Sequence, residues 1–147
     1  MLHGSAYFMP KEFACRCGCG FGLQSADVAM ELVFTLHLLR RSLAVPFVIT
    51  SGARCVKHNT AEGGKSKSTH LAGVKGLCTP GYEGQCRAAD IQITDWSTEL
   101  RGRAVAQALA MGLRVGVAAT FLHLDVESPP YYSEGLWNYG AVEDSSI

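Results

Sequence analysis

Two stretches of this chain repeat apolar residues at helical spacing, and the segments around them alternate or cluster β-formers, so helix and strand have to share one core. From Ser25 the residues Val28, Leu32, Leu36, Leu39 and Leu43 recur at three- and four-residue steps, with Asp27, Glu31, Arg40 and Arg41 off that stripe. This period lays one apolar face along an amphipathic helix, which Ser25 is placed to cap. Pro46-Phe47-Val48-Ile49-Thr50 then reads as a strand whose end delivers Arg54 into a loop. A second helix is expected on Leu100, Ala104, Val105, Ala108 and Leu109, with Gly112 as its C-terminal cap. Ala88 to Ile93 alternates well enough for a strand, with Ala88, Asp90 and Gln92 on one face. Val115-Gly116-Val117 and Phe121 to Val126 look like a hairpin or two neighbouring strands, and His123 and Asp125, two apart, project from the same face.

Between these segments the pattern fails in two places. Residues 1–24 are rich in Gly and Cys and read as irregular, while residues 57–87 form a polar stretch without sustained period, a long functional loop with room for one helical turn. At 147 residues the chain is long enough to bury a core and is read as a single domain, 1–147. Its 13 basic and 13 acidic residues cancel, so no global field points to nucleic acid or to a membrane surface. No apolar run approaches the ~18 residues of a membrane span. The start lacks a basic segment followed by an apolar one, so a protein made in the cytoplasm without a signal peptide is expected.

Six cysteines fall into groups: Cys15, Cys17 and Cys19 alternate, Cys55 follows Arg54, and Cys78 and Cys86 share one loop. An even count fixes no pairing by itself. A disulfide between Cys78 and Cys86 would close a short loop and requires Cα atoms closer than ~7 Å. The alternating trio is either a turn carrying reduced thiols or part of a thiolate zinc site completed by Cys55 or His58, although the usual C-x-x-C spacing is missing. His3 and His37, without companions, read as hydrogen-bonded core or surface residues.

Four motifs stand in order along the chain: Ser51-Gly52-Ala53-Arg54, Ser68-Thr69-His70-Leu71-Ala72-Gly73, Ala88-Ala89-Asp90-Ile91 and His123-Leu124-Asp125. They resemble the S-G-x-R, S-x-H-x-x-G-x-A-x-D and H-x-D frames of the M15 family of peptidoglycan peptidases, whose members also carry a segment like Phe13-Ala14-Cys15-Arg16-Cys17-Gly18-Cys19. The resemblance implies an α+β domain of the Hedgehog and D-Ala-D-Ala peptidase kind, with a small mixed or antiparallel sheet and helices packed on one side. It implies Zn2+ held by His70, Asp90 and His123. Two imidazoles and one carboxylate leave a fourth tetrahedral position for water, the arrangement of a catalytic rather than a structural zinc.

Around those ligands the resemblance assigns further roles. Arg54 is either an ion-pair partner of Asp90 or Asp125 or, as the family favours, a fork that grips the substrate carboxylate or the developing oxyanion. Ser68 is either a turn former or a substrate hydrogen-bond donor. Asp125 reads as an acceptor that orients a zinc histidine. Two departures stand out. His70 and Asp90 are twenty positions apart where the frame has seven, so residues 74–87 read as an inserted loop between zinc ligands, a rim of the substrate entrance or a docking element. The acidic general base expected three positions before the last histidine is Thr120, which cannot take that proton; Asp125, Glu127, Glu83 and Glu62 are the carboxylates nearest to hand.

The function implied is zinc-dependent cleavage of a stem-peptide or cross-link bond of peptidoglycan, of D,D or L,D type, by a monomer of the phage endolysin or wall-remodelling kind. Such a protein is delivered to the wall by a phage or holin route. The alternative, supported by Thr120, is a wall-binding or phage structural module that keeps zinc without turnover.

Overall fold

The computed structural model describes residues 1–64, 68–71, 84–127 and 135–139. Its elements are α1 (Pro10–Phe13), α2 (Met30–Leu43), β1 (Ile49–Ser51), α3 (Val56–Ala61), β2 (Ala88–Gln92), α4 (Thr98–Ala110), β3 (Arg114–Val117), β4 (Phe121–Asp125) and β5 (Leu136–Asn138), with short 3-10 turns at Leu2–Gly4 and Ser25–Asp27. The strands form one five-stranded sheet in the order β1-β2-β4-β3-β5. All neighbours run antiparallel except β3 and β5, which are parallel, so the α+β expectation holds with a mixed sheet.

The helical stripe is where the period places it, but the start of the helix is not. Leu32, Leu36 and Leu39 are buried on α2. Fully burying each of these side chains is worth about 1.5–3 kcal/mol. Ser25, expected to cap α2, instead opens a 3-10 turn, and the residue before α2, Ala29, offers no side-chain cap. The reason is tertiary: Val28 pairs with Cys86, Cys86 N–H donates to the Asp27 carbonyl at 2.7 Å and Ala29 N–H to the Cys86 carbonyl at 2.9 Å. The backbone there is committed to a ladder and cannot coil. On α4 the local signals succeed. Ser97 Oγ accepts from Leu100 N–H at 3.1 Å, and beyond the last turn Leu113 N–H reaches back to the Ala108 carbonyl at 3.0 Å, as a glycine-terminated helix end requires.

The strand expected on residues 46–50 shrinks to Ile49–Ser51, with an irregular register against β2. The helical turn allowed for in the polar stretch is α3. The amino-terminal segment, irregular by sequence, contributes Leu2, Phe8 and Phe13 to the core, all fully buried.

The two faces of the sheet have different neighbours. Ala89 and Ile91 on β2, Leu122 and Leu124 on β4 and Val115 on β3 belong to the hydrophobic core with the α2 leucines and with Ala104 and Ala108 of α4. Residues of the other parity face away from that core. Across the sheet they line up in register as Asp90, His123, Gly116 and Trp137, with Asp125 and Arg114 paired in the adjoining row.

Candidate metal centre

Alternation in β2 and β4 is what brings Asp90 and His123 to one spot, since these two residues are direct cross-strand partners. His70 comes from outside the sheet. It lies on the segment 68–71, which threads between two others: Arg54 N–H donates to the His70 carbonyl at 2.7 Å and Arg87 N–H to the Thr69 carbonyl at 2.8 Å. Ser68 Oγ accepts from His70 N–H at 3.2 Å, so the turn-forming role of Ser68 is occupied.

The three side chains converge through single atoms. His70 Nε2 lies 3.2 Å from Asp90 Oδ1, His123 Nδ1 lies 3.0 Å from that same oxygen, and the two nitrogens are 3.2 Å apart. Both rings have their remaining nitrogen fixed from behind. His70 Nδ1 is 2.7 Å from the Gly52 carbonyl, which can only accept, so this nitrogen carries the proton. His123 Nε2 is 2.7 Å from Asp125 Oδ2 and donates to it likewise. In neutral rings both facing nitrogens therefore present lone pairs, and with Asp90 Oδ1 they make three acceptors crowded around one point with no donor among them. Only a proton or a cation relieves that arrangement. A tetrahedral ion with bonds of ~2.0–2.1 Å has ligand–ligand edges of about 3.3–3.4 Å, close to those found, so these residues could hold a metal ion.

Electrostatics show the same demand for positive charge. Burial pulls the His70 imidazole below its ordinary range, only partly offset by Asp90. Burial acts against protonated His123 too, but its hydrogen bonds to Asp125 and Asp90 and their charges win and lift it to about 9. Burial opposes the ionised Asp90, yet the two histidines hold its carboxyl well below the usual carboxylate range. All three are buried, His70 and His123 completely.

A second layer of side chains fixes the first. Asp90 turns its other oxygen to Arg54, with Nη2 to Oδ2 at 3.8 Å, while Arg54 Nε reaches Ser51 Oγ at 3.1 Å and Nη1 reaches Asn59 Oδ1 at 3.2 Å. The ion pair left open for Arg54 is thus made with Asp90, not with Asp125. Asp125 Oδ1 accepts from Glu127 N–H at 3.1 Å and faces Arg114 Nε at 3.4 Å, and Thr69 Oγ1 lies 3.3 Å from Asp125 Oδ2. Behind Arg114 the guanidinium covers the Trp137 ring at 4.6 Å, and that ring stands 5.5 Å from His123. A Cβ on Gly116 would come within 2.7 Å of Trp137 Cε2 and Cζ2, so only glycine lets the indole lie across β3.

The carboxylates considered as general bases are placed elsewhere or otherwise engaged. Asp125 sits behind the His123 ring, on the side away from Nδ1. Glu127 is buried in an ion pair with Arg87. Glu62 is exposed at the end of α3, and Glu83 lies outside the described residues. Thr120 is exposed in the bend just before β4 and brings no carboxylate to this position.

His3 and His37 are hydrogen-bonded away from this centre, to the Val28 carbonyl and to Ser5 Oγ, both at 2.7 Å. Cys86 is a buried free thiol that donates to the Ala88 carbonyl at 3.1 Å, and burial pushes it up to about 12; its expected partner, Cys78, lies outside the described residues, as does the inserted loop up to residue 83. Sequence reasoning missed Thr69, Asn59, Arg114 and Trp137. Thr69 stood inside a quoted motif and Asn59 five residues beyond Arg54, but Arg114 and Trp137 carry no local signal because only sheet register brings them to Asp125 and His123.

A family model described as Peptidase M15 matches residues 6–125, a span that holds His70, Asp90, His123 and Asp125. No curated protein matches the chain. Among the described residues no helix is long and apolar enough to cross a membrane.

Proposed function

Because the chain belongs to the peptidase M15 family, we propose that it is a zinc metallopeptidase that cleaves a peptide bond in the stem peptide or cross-link of peptidoglycan. The observation that carries this reading is the convergence of His70 Nε2, Asp90 Oδ1 and His123 Nδ1, three acceptors with edges of 3.0–3.2 Å and both rings oriented from behind. When bound, the metal supplies Lewis acidity, polarising a scissile carbonyl and easing deprotonation of a water nucleophile. The residues of the chain do the rest. Gly52 and Asp125 hold the imidazole tautomers that turn lone pairs inward. Arg54 aims Asp90 through the ion pair to its second oxygen, and its guanidinium is the cation that meets the substrate carboxylate or the developing oxyanion. Ser68 hydrogen-bonds its own turn and keeps His70 in place.

One observation favours a second reading, a zinc-retaining module that binds wall without turnover: among the described residues, neither Thr120 nor Asp125 nor Glu127 offers a carboxylate to the inward side of the ligands. Incubating zinc-loaded protein with purified sacculi and identifying released muropeptides by mass spectrometry separates the two. The expected result is release of cleaved stem peptides, abolished in His123→Ala. Zinc bound at these residues and protein retained on the sacculi with no product released would establish the second reading, and a protein whose zinc content is indifferent to His70→Ala and His123→Ala would sink both.

A further inference from the structure

Outside the histidine centre, Cys15, Cys17, Cys19 and Cys55 bring four sulfurs within 4.8 Å of one another. Cys15 Sγ lies 3.4 Å from Cys17 Sγ and 3.9 Å from Cys55 Sγ, and Cys17 Sγ lies 3.7 Å from Cys55 Sγ. A regular tetrahedron with metal–sulfur bonds of ~2.3 Å has edges of about 3.8 Å. The spacing is therefore that of four thiolates around one ion. It is far from the ~2.05 Å of a disulfide, and all four cysteines are free thiols.

The chain takes specific measures to build this cluster. In an extended strand Cys15 and Cys17 would stand ~7 Å apart, too far for one ion. A turn draws them together instead: Gly18 N–H donates to the Cys15 carbonyl at 3.1 Å, with Gly18 at φ +84, and Cys15 N–H donates to the Phe21 carbonyl at 2.7 Å. This fold of the backbone does the work that C-x-x-C spacing does elsewhere. The fourth sulfur arrives from 40 residues away because Ala53 N–H is fixed to the Phe13 carbonyl at 2.8 Å. Backbone amides already point at the sulfurs, Cys55 N–H to Cys15 Sγ at 3.5 Å and His58 N–H to Cys55 Sγ at 3.3 Å, as expected around thiolate ligands. His58 contributes that amide, so the sequence alternative of His58 as the fourth ligand gives way to Cys55.

We infer that Cys15, Cys17, Cys19 and Cys55 hold a second zinc ion, structural rather than catalytic, that clamps the amino-terminal segment onto the Ser51–Cys55 segment. Four thiolates close the coordination sphere and leave no position for substrate or water. Soft sulfur donors select zinc over magnesium or calcium. The clamp acts on the other centre through one short piece of backbone, since Gly52 supplies the carbonyl that orients His70 and Arg54 pairs with Asp90. Cys17 and Cys19 are exposed, so without a metal the cluster would be open to oxidation.

The test counts metals on the full chain by native mass spectrometry after loading with zinc alone. Two ions per chain are expected, falling to one in Cys17→Ser/Cys19→Ser and to one in His123→Ala. Loading His123→Ala with cobalt(II) should give sulfur-to-metal charge-transfer absorption. If the double serine variant does not fold, alkylation of the native protein decides: peptide mapping should find Cys15, Cys17, Cys19 and Cys55 protected until a chelator is added. A single ion per chain that disappears in His123→Ala, or four cysteines alkylated equally with and without chelator, would overturn the inference. So would a mass that rises by two hydrogens per cysteine pair on reduction. None of these readouts depends on hydrolysis, so loss of the peptidase reading leaves this one standing, and the reverse.

Discussion

Asp125→Asn separates two roles for one carboxylate, because the substitution keeps its shape and removes only charge and acceptors. In the structure both oxygens face donors: Oδ2 takes His123 Nε2–H at 2.7 Å, and Oδ1 takes Glu127 N–H at 3.1 Å with Arg114 Nε at 3.4 Å. An amide has a single acceptor oxygen, so whichever way it flips, a donor group on one side meets another donor. The site is fully buried, so solvent cannot make good the loss. Leaving one buried group unsatisfied costs about 1–3 kcal/mol, or roughly 3–10 °C in melting temperature for a domain of this size. If Asp125 orients His123, the zinc dissociation constant rises about 10–100-fold, equivalent to about 1.4–2.7 kcal/mol, and hydrolysis returns at saturating zinc. If Asp125 were the general base, zinc affinity would stay near that of the native protein while turnover fell about 10²–10⁴-fold and did not return. Competition with a chromogenic chelator gives the affinity, and muropeptide release at several zinc concentrations gives the turnover. Unchanged affinity together with collapsed turnover refutes the orienting role.

Three further outcomes are expected. The raised His123 makes the metal-free protein lose stability as pH rises from about 6.5 towards 9, because below the unfolded value both states hold the proton and above it only the folded state keeps it until the folded value is passed; chemical denaturation of chelator-treated protein should show this fall, and the fall should be absent in His123→Ala. A flat profile in that window would remove the argument that His123 holds a proton in place of the metal. Gly116→Ala puts a methyl within 2.7 Å of the Trp137 ring, so stability should drop by about 1–3 kcal/mol with a change in tryptophan emission while zinc still binds; an unaltered spectrum would mean that Trp137 does not lie across β3. Thr120→Glu, which restores an acidic residue where the family frame has one, should raise hydrolysis about tenfold or more; no gain would show that the proton is handled from another position.

What the sequence could disclose is what local periodicity and short motifs encode. The three- and four-residue steps of Leu32, Leu36 and Leu39 located α2, and the stripe of Leu100, Ala104 and Ala108 with Gly112 after it located α4 and its C-terminal end, because capping and amphipathicity act within one or two turns of chain. Alternation placed Asp90 on one face of β2 and His123 with Asp125 on one face of β4, and the motif order named the three residues that meet. Ser25 failed as a cap for a reason no local rule contains: Val28 is claimed by Cys86, 58 positions away. Arg114 and Trp137 reach the centre the same way, through the register of β3 against β4 and β5, and β5 is only three residues long. Arg54 shows a different limit. A frame such as S-G-x-R tells which residue stands near the candidate ligands but not how it is held there, and here Nε and both terminal nitrogens face Ser51, Asn59 and Asp90. The cysteine trio is the converse case. Its C-x-C-x-C spacing argued against a shared ion so long as the segment was imagined extended, and the turn at Gly18, with a fourth sulfur delivered through the Phe13–Ala53 bond, is what makes that spacing fit one. Spacing rules for metal ligands therefore hold only for the backbone conformation they assume, and a glycine between alternating cysteines is the signal that the assumption can fail.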